Sequence, residues 1–177
     1  AAAQSEGVFD GEIVAVAVPQ RRGAPVLVSA DEGIRPDTTV QSLSGLRAAF
    51  AEGGSITAGN SSQISDGASA VVVTTRGRAE ASGWPVLVTV GASGQTAGPD
   101  NSLQAQPARA IERACEKQGI SPADLDLVEI NEAFGAVVSR SQVELGISSD
   151  IVNIHGGGIA IGHPIGASGA RLVGHVA

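Results

Sequence analysis

The residues best suited to chemistry lie near the end of the chain. Residues 155–171 read HGGGIAIGHPIGASGAR, with six glycines around His163. Glycine at this density lets backbone pass close to a ligand while one imidazole is held at a fixed point. An imidazole moves protons near neutral pH. Its Nε2–H can equally donate to an oxygen that is gaining negative charge. The same string also reads as a turn-rich connector with a histidine exposed on it. It is not a phosphate loop, because no Gly-Lys-Ser/Thr occurs. A dinucleotide fingerprint would need a preceding first strand and a downstream acid, and that context is missing.

A second signal is Asn131-Glu132-Ala133-Phe134, at the junction of an apolar run and a helical pattern. Open α/β sheets place ligand groups at the carboxyl ends of their strands. Asn131 there can hold a water or a carbonyl. Equally, Asn131 can cap the following helix, with Glu132 facing the positive end of the helix dipole.

The elements that must position these residues follow from periodicity. Residues 12–18 and 25–29 are short and β-branched and read as two strands around a polar turn at Arg21-Arg22-Gly23. Residues 31–39 are turn-rich, and 42–50 read as a short helix starting at Ser42. The stretch 53–67 is irregular, with a helix expected from near Asp66. Residues 69–74, SAVVVT, read as a strand covered on both faces. A brief helix over 76–82 closes at Gly83. Trp84-Pro85 then opens a strand over 86–90. A helix over 106–118 has Pro107 in its first turn and Gly119 at its end. Residues 126–130 and 151–154 read as strands, 132–145 as a helix, and a last helix begins around 167–171. The alternation is that of an α/β layered chain. A boundary falls after Trp84, giving units 1–84 and 85–177.

Composition narrows the function classes. Of 177 residues, 24 are glycine, 3 phenylalanine, 1 tryptophan and none tyrosine, so the core is built from small and aliphatic side chains. Net charge is -7 with no basic run, which argues against nucleic acid. No apolar run approaches the ~18 residues of a membrane span. The start, AAAQSEG, lacks the pattern of a signal peptide, and a single cysteine allows no internal disulfide. A cytoplasmic location is expected. The chain lacks methionine and stops in an apolar segment, so both ends read as cuts in a longer protein.

Taken together, Asn131-Glu132-Ala133-Phe134 and the run Gly156 to Arg171 closely resemble the thiolase family. Asp31-Glu32-Gly33-Ile34-Arg35, Thr57 to Ser62, and Asp66-Gly67-Ala68 extend the resemblance, in the family's order, over essentially the whole chain. The resemblance implies a layered α-β-α-β-α fold, represented here by part of the loop and N-terminal region and most of the C-terminal half. It implies a coenzyme A-dependent acyltransferase, condensing two acetyl-CoA or thiolytically cleaving a 3-ketoacyl-CoA. His163 would lower the proton affinity of a nucleophilic cysteine and, with a water held by Asn131, form an oxyanion hole. Ser62 would lie along the pantetheine arm and Arg35 near the nucleotide end. Phe134 and Gly162 would complete the substrate side. No permanently bound cofactor and no metal is implied, since the coenzyme A thioester is substrate. Homodimers or homotetramers are implied.

The resemblance fails at the thiols. Thiolases use one cysteine in the N-terminal half and another in a Cys-x-Gly-Gly-Gly stretch, and neither motif is present. The lone Cys115 falls on the 106–118 helix in register with Ile111 and reads as a small buried hydrophobe. The chain alone is therefore expected to be inactive. A coenzyme A-binding or scaffolding module without activity stands as an alternative. A ketoacyl synthase is disfavoured by the Asn-Glu-Ala-Phe and Gly-His-Pro pair.

Overall fold

A computed structural model describes all residues, 1–177. The N-terminal part opens with a short helix α1 (Ala2–Ser5) and a hairpin of β1 (Val16–Val18) and β2 (Val26–Val28). The strands are antiparallel, with Val16 opposite Val28 and Val18 opposite Val26. Both are shorter than the predicted 12–18 and 25–29. Helix α2 (Val40–Ser44) begins two residues before the predicted Ser42. Thr39 Oγ1 accepts from the Ser42 N–H, while Ser42 Oγ accepts from the Thr39 N–H. Ser42 is thus the third residue of a reciprocal cap and not its start. Helix α3 (Arg76–Ala81) forms as expected.

Three expected elements do not form. No helix starts near Asp66, and neither 69–74 nor 86–90 is a strand. Val72 and Val73 are 84% and 76% exposed. A β-branched run becomes a strand only when another backbone pairs with it. Neither run makes a backbone hydrogen bond within this chain.

The C-terminal part is better ordered by its own packing. Helix α4 (Gln106–Gln118) carries Pro107 in its first turn and closes at a left-handed Gly119. Helix α5 (Gly135–Leu145) closes at Gly146 and packs on α4. Val128, Ile130, Val137 and Val152 form the core, with Ile111, Leu125, Phe134 and Val138 packed against it. The predicted strands 126–130 and 151–154 reduce to one parallel bridge, Val128 with Val152. The reason is Asn153. Its amide replaces the next backbone rung, with Oδ1 accepting from the Ile130 N–H at 2.8 Å and Nδ2 donating to the Ile130 carbonyl at 2.9 Å. Its own φ of 48° turns the chain out of the strand path.

Residues 92–98 are strapped along α4. Arg109, Arg113 and Lys117, spaced by four on one helix face, donate to the carbonyls of Gly98, Gln95 and Ser93 at 3.0, 2.8 and 2.6 Å. Gly94 is obligatory here because a Cβ would overlap the Ala110 carbonyl oxygen and lie 2.8 Å from the Ala114 nitrogen.

The last helix, α7 (Ile165–Val176), starts before the predicted 167–171 and reaches back to the N-terminal segment. His175 Nδ1 lies 2.6 Å from Glu12 Oε1, and His175 Nε2 lies 3.0 Å from His155 Nδ1. The Phe9 ring packs against His175. Neither histidine carries a role legible in the sequence. No helix is long and apolar enough to cross a membrane.

Candidate active site

Three segments converge on His163. The stretch 60–65 runs between the other two. On one side, Ser61 bridges Phe134 in antiparallel fashion, the Gly135 N–H donates to the Asn60 carbonyl at 2.8 Å, and Ser62 donates from both N and Oγ to the Ala133 carbonyl at 3.2 Å. On the other side, the His163 N–H donates to the Gln63 carbonyl at 3.2 Å. The Gln63 side chain donates to the carbonyls of Gly33 and Ala160, each at 3.1 Å.

The glycine loop contains a turn of helix, α6 (Gly158–Ile161), that its glycine-rich sequence does not announce. Glu132 secures it: Oε2 accepts from the Ile159 N–H at 3.0 Å, and Oε1 accepts from Asn153 Nδ2 at 3.2 Å. Glu132 therefore works on the loop and not on the dipole of the following helix. Asn131 is not a cap either. Helix α5 is preceded by Phe134 with no side-chain cap, which leaves the Asn131 amide free to face the histidine.

Asn131 Nδ2 lies 3.1 Å from His163 Nε2. On the far side of the ring, His163 Nδ1 lies 2.7 Å from Ser168 Oγ. Ser168 is buried and donates to the Pro164 carbonyl at 3.0 Å. Asn131 Oδ1 is buried without a hydrogen-bond partner. Gly158 forms the floor beside the pair, since a Cβ there would lie 3.6 Å from Asn131 Oδ1 and 3.7 Å from His163 Cβ. Nε2 can accept a proton, and once protonated it can donate beside Asn131 Nδ2–H to a single oxygen. That is the donor pair an acyl-transfer oxyanion needs.

A buried carboxylate lies two residues upstream. Both oxygens of Glu129 are buried without partners. Burial pushes its carboxyl above the usual range, with His175, Arg171 and His155 pulling down and Glu132 pushing up. Asp31 is raised by burial too, opposed by Arg171. A raised carboxyl favours the fold below its unfolded pKa, and that contribution is lost as pH rises through the folded value. The expected result is that Glu129→Gln raises the thermal unfolding midpoint at neutral pH, with the gain disappearing near about pH 4. A lower midpoint at neutral pH would contradict this.

Of the residues picked out in the sequence, Asn131, His163, Gly162, Ser62 and Phe134 are brought together. The Phe134 ring meets Phe50 edge-on at 5.7 Å. Arg35 is not brought in: it is exposed, with no hydrogen bond or ion pair from its guanidinium. Its link is indirect, through Gly33 held by Gln63. Cys115 is buried at 4% exposure inside α4, as its register predicted. Ser168 and Gln63 carry roles that the sequence did not show, and Glu132 has a different partner from the helix dipole expected of it. Ser168 carries a readable signal, since it falls five residues after His163, in the first turn of the helix that follows.

Such an arrangement, a glycine loop folded over an asparagine–histidine pair in an α/β chain, defines a candidate acyl-transfer site. The thiolase C-terminal domain family matches residues 84–177 and the thiolase N-terminal domain family matches residues 1–77, so the chain belongs to the thiolase family. It is 54% identical over 177 residues to a probable acetyl-CoA acetyltransferase of Mycolicibacterium smegmatis, covering 100% of this chain and 46% of that protein. It is 46% identical to the peroxisomal 3-ketoacyl-CoA thiolase B of Mus musculus, covering 98% of this chain and 42% of that protein. The crystal structure of the Bacillus anthracis acetyl-CoA acetyltransferase superposes with a TM-score of 0.92 at 36% identity, covering 98% of this chain and 44% of that one. The fold is thus the thiolase-like α/β fold. The chain spans about half the length of the relatives it matches.

Proposed function

We propose that the protein carrying this chain is a thiolase-type acyltransferase that condenses two acetyl-CoA or cleaves a 3-ketoacyl-CoA with coenzyme A. The observation that carries this reading is the Asn131–His163 pair, 3.1 Å apart, with Nε2 facing an amide donor. His163 acts as base toward a thiol and then, with a water held by Asn131, as donor to the thioester oxygen. Ser62, Phe134 and Gly162 border the acyl-pantetheine path, and Arg35 faces the nucleotide end. Residues 1–84 belong to the loop and N-terminal unit and 85–177 to the C-terminal unit. The nucleophilic and acid–base cysteines are supplied by parts of the protein beyond these residues. The enzyme needs no permanently bound cofactor, works as a homodimer or homotetramer, and acts in the cytoplasm, with fatty acid β-oxidation as one metabolic setting.

One observation favours a second reading, an inactive coenzyme A-binding module: the lone thiol is buried in α4 and makes no hydrogen bond to the pair. Thiolysis of acetoacetyl-CoA separates the two. The whole protein is expected to turn over, and the isolated 177-residue chain is not. Turnover by the isolated chain would sink the assignment of the cysteines elsewhere. A whole protein that binds coenzyme A yet cleaves no 3-ketoacyl-CoA of any length would establish the second reading.

A further inference from the structure

The partners on the two sides of the His163 ring decide together which of its nitrogens is basic. Asn131 presents Nδ2, which only donates, to His163 Nε2 at 3.1 Å. Nε2 therefore carries the lone pair, and Nδ1 carries the proton. That proton needs an acceptor in a largely buried position. Ser168 Oγ, 2.7 Å away, receives it. The hydroxyl can accept because its own proton goes to the Pro164 carbonyl at 3.0 Å. Ser168 is 4% exposed, so the contact is sheltered from bulk water.

We propose that Ser168 is a positioning residue that fixes His163 in its Nδ1–H tautomer and so keeps Nε2 available as the base. This rests on the thiolase reading of His163. In the proton-transfer step, a thiol gives its proton to the Nε2 lone pair, leaving a thiolate and an imidazolium. The imidazolium keeps Nδ1–H on Ser168 Oγ and turns Nε2–H toward the oxyanion. Without Ser168 the Nδ1 proton is buried with no acceptor, which costs the group its full desolvation. The neutral ring then shifts to the Nε2–H tautomer, with the Asn131 amide turning its unpartnered Oδ1 to accept from Nε2, and no lone pair is left toward the thiol. The first turn of α7, entered from Pro164, brings Ser168 to the Nδ1 edge of the ring.

The test uses the whole enzyme with Ser168→Ala and Ser168→Thr. Alanine is expected to lower kcat by about 10- to 100-fold, the usual scale for loss of a histidine-orienting partner, with KM changing by less than about threefold. Threonine keeps the hydroxyl and is expected to restore most of the rate. Nitrogen-15 spectra of the substrate-free enzyme, with the His163 signals assigned by their loss in His163→Ala, are expected to show protonated Nδ1 in the wild type and the Thr variant. They are expected to show a mixed or Nε2–H ring in the Ala variant. An unchanged tautomer in Ser168→Ala overturns the proposal, whatever happens to the rate. So does a rate loss that threonine does not restore when both variants unfold at the wild-type temperature. The tautomer is read without substrate, so it stands or falls separately from the acyltransferase assignment, which the thiolysis assay decides.

Discussion

Replacing His163 with alanine in the whole enzyme is expected to lower kcat by about a thousandfold, with Asn131→Ala costing about a hundredfold. The difference follows from what each side chain does. His163 Nε2 has two duties, accepting a thiol proton and then donating to the oxyanion, whereas Asn131 supplies only the donor. Neither change should disturb the fold. Asn131 Oδ1 makes no hydrogen bond, and the backbone of His163 stays anchored through its N–H to Gln63. His163→Gln separates the two duties, since it keeps a donor and removes the base. It is expected to fall between the alanine variant and the wild type. The double variant His163→Ala/Asn131→Ala is expected to be little worse than His163→Ala alone, because groups that act as a unit lose their effect together. The measurement is thiolysis of acetoacetyl-CoA at saturating coenzyme A, with unfolding midpoints as the control. A kcat unchanged in both single variants would refute the roles given to the pair.

The site was legible because its chemistry is local in sequence. His163 is announced by glycines on both sides of Gly-His-Pro, and Asn131 by its place where an apolar run meets a helical pattern. What sequence could not supply was which groups turn toward them. Gln63 lies 97 residues from the Ala160 carbonyl it holds, and a glutamine in a polar stretch carries no pattern that marks it as a clamp. Glu132 was visible but assigned to the wrong partner. A carboxylate next to a helix start favours the dipole by default, and only the folded loop puts the Ile159 N–H on Oε2 instead.

The fold divides the same way. Helix α4 was read to its ends because Pro107, Gly119 and the spacing of Ile111 and Cys115 are properties of the helix itself. The strands fared worse because pairing is a relation between two segments. The runs 69–74 and 86–90 have strand composition and no strand partner among these residues, so their valines remain exposed. Between Val128 and Val152 pairing does begin, and the side chain of Asn153 ends it after one bridge. A β-propensity argument cannot foresee an amide that takes the place of a backbone rung.

Gly162→Ala is expected to be the most damaging small change in the site, for reasons that can be measured separately. Gly162 has φ 93° and ψ 167°, a region essentially closed to residues with a Cβ, and occupying it costs about 1–3 kcal/mol. A Cβ built there would also overlap Ser65 Oγ and lie 2.7 Å from Ser65 Cβ. Overpacking of that kind costs about 1–3 kcal/mol. The sum, roughly 2–6 kcal/mol, is a large part of the 5–15 kcal/mol that holds an ordinary domain together. Ser65 cannot retreat without consequence, because its hydroxyl donates to the Gln63 carbonyl at 3.4 Å, the same carbonyl that anchors the His163 N–H. The damage therefore reaches the imidazole, and kcat is expected to fall along with stability. Ser65→Gly in the same chain removes the collision and leaves the backbone strain. The double variant Gly162→Ala/Ser65→Gly is expected to recover part of the lost stability by urea unfolding and to stay below Ser65→Gly alone. Full recovery would show that sterics with Ser65 were the whole effect. A single variant within about 1 kcal/mol of the wild type would show that the loop can relax around the new methyl group, against the rigid path that Gln63 and Glu132 impose on it.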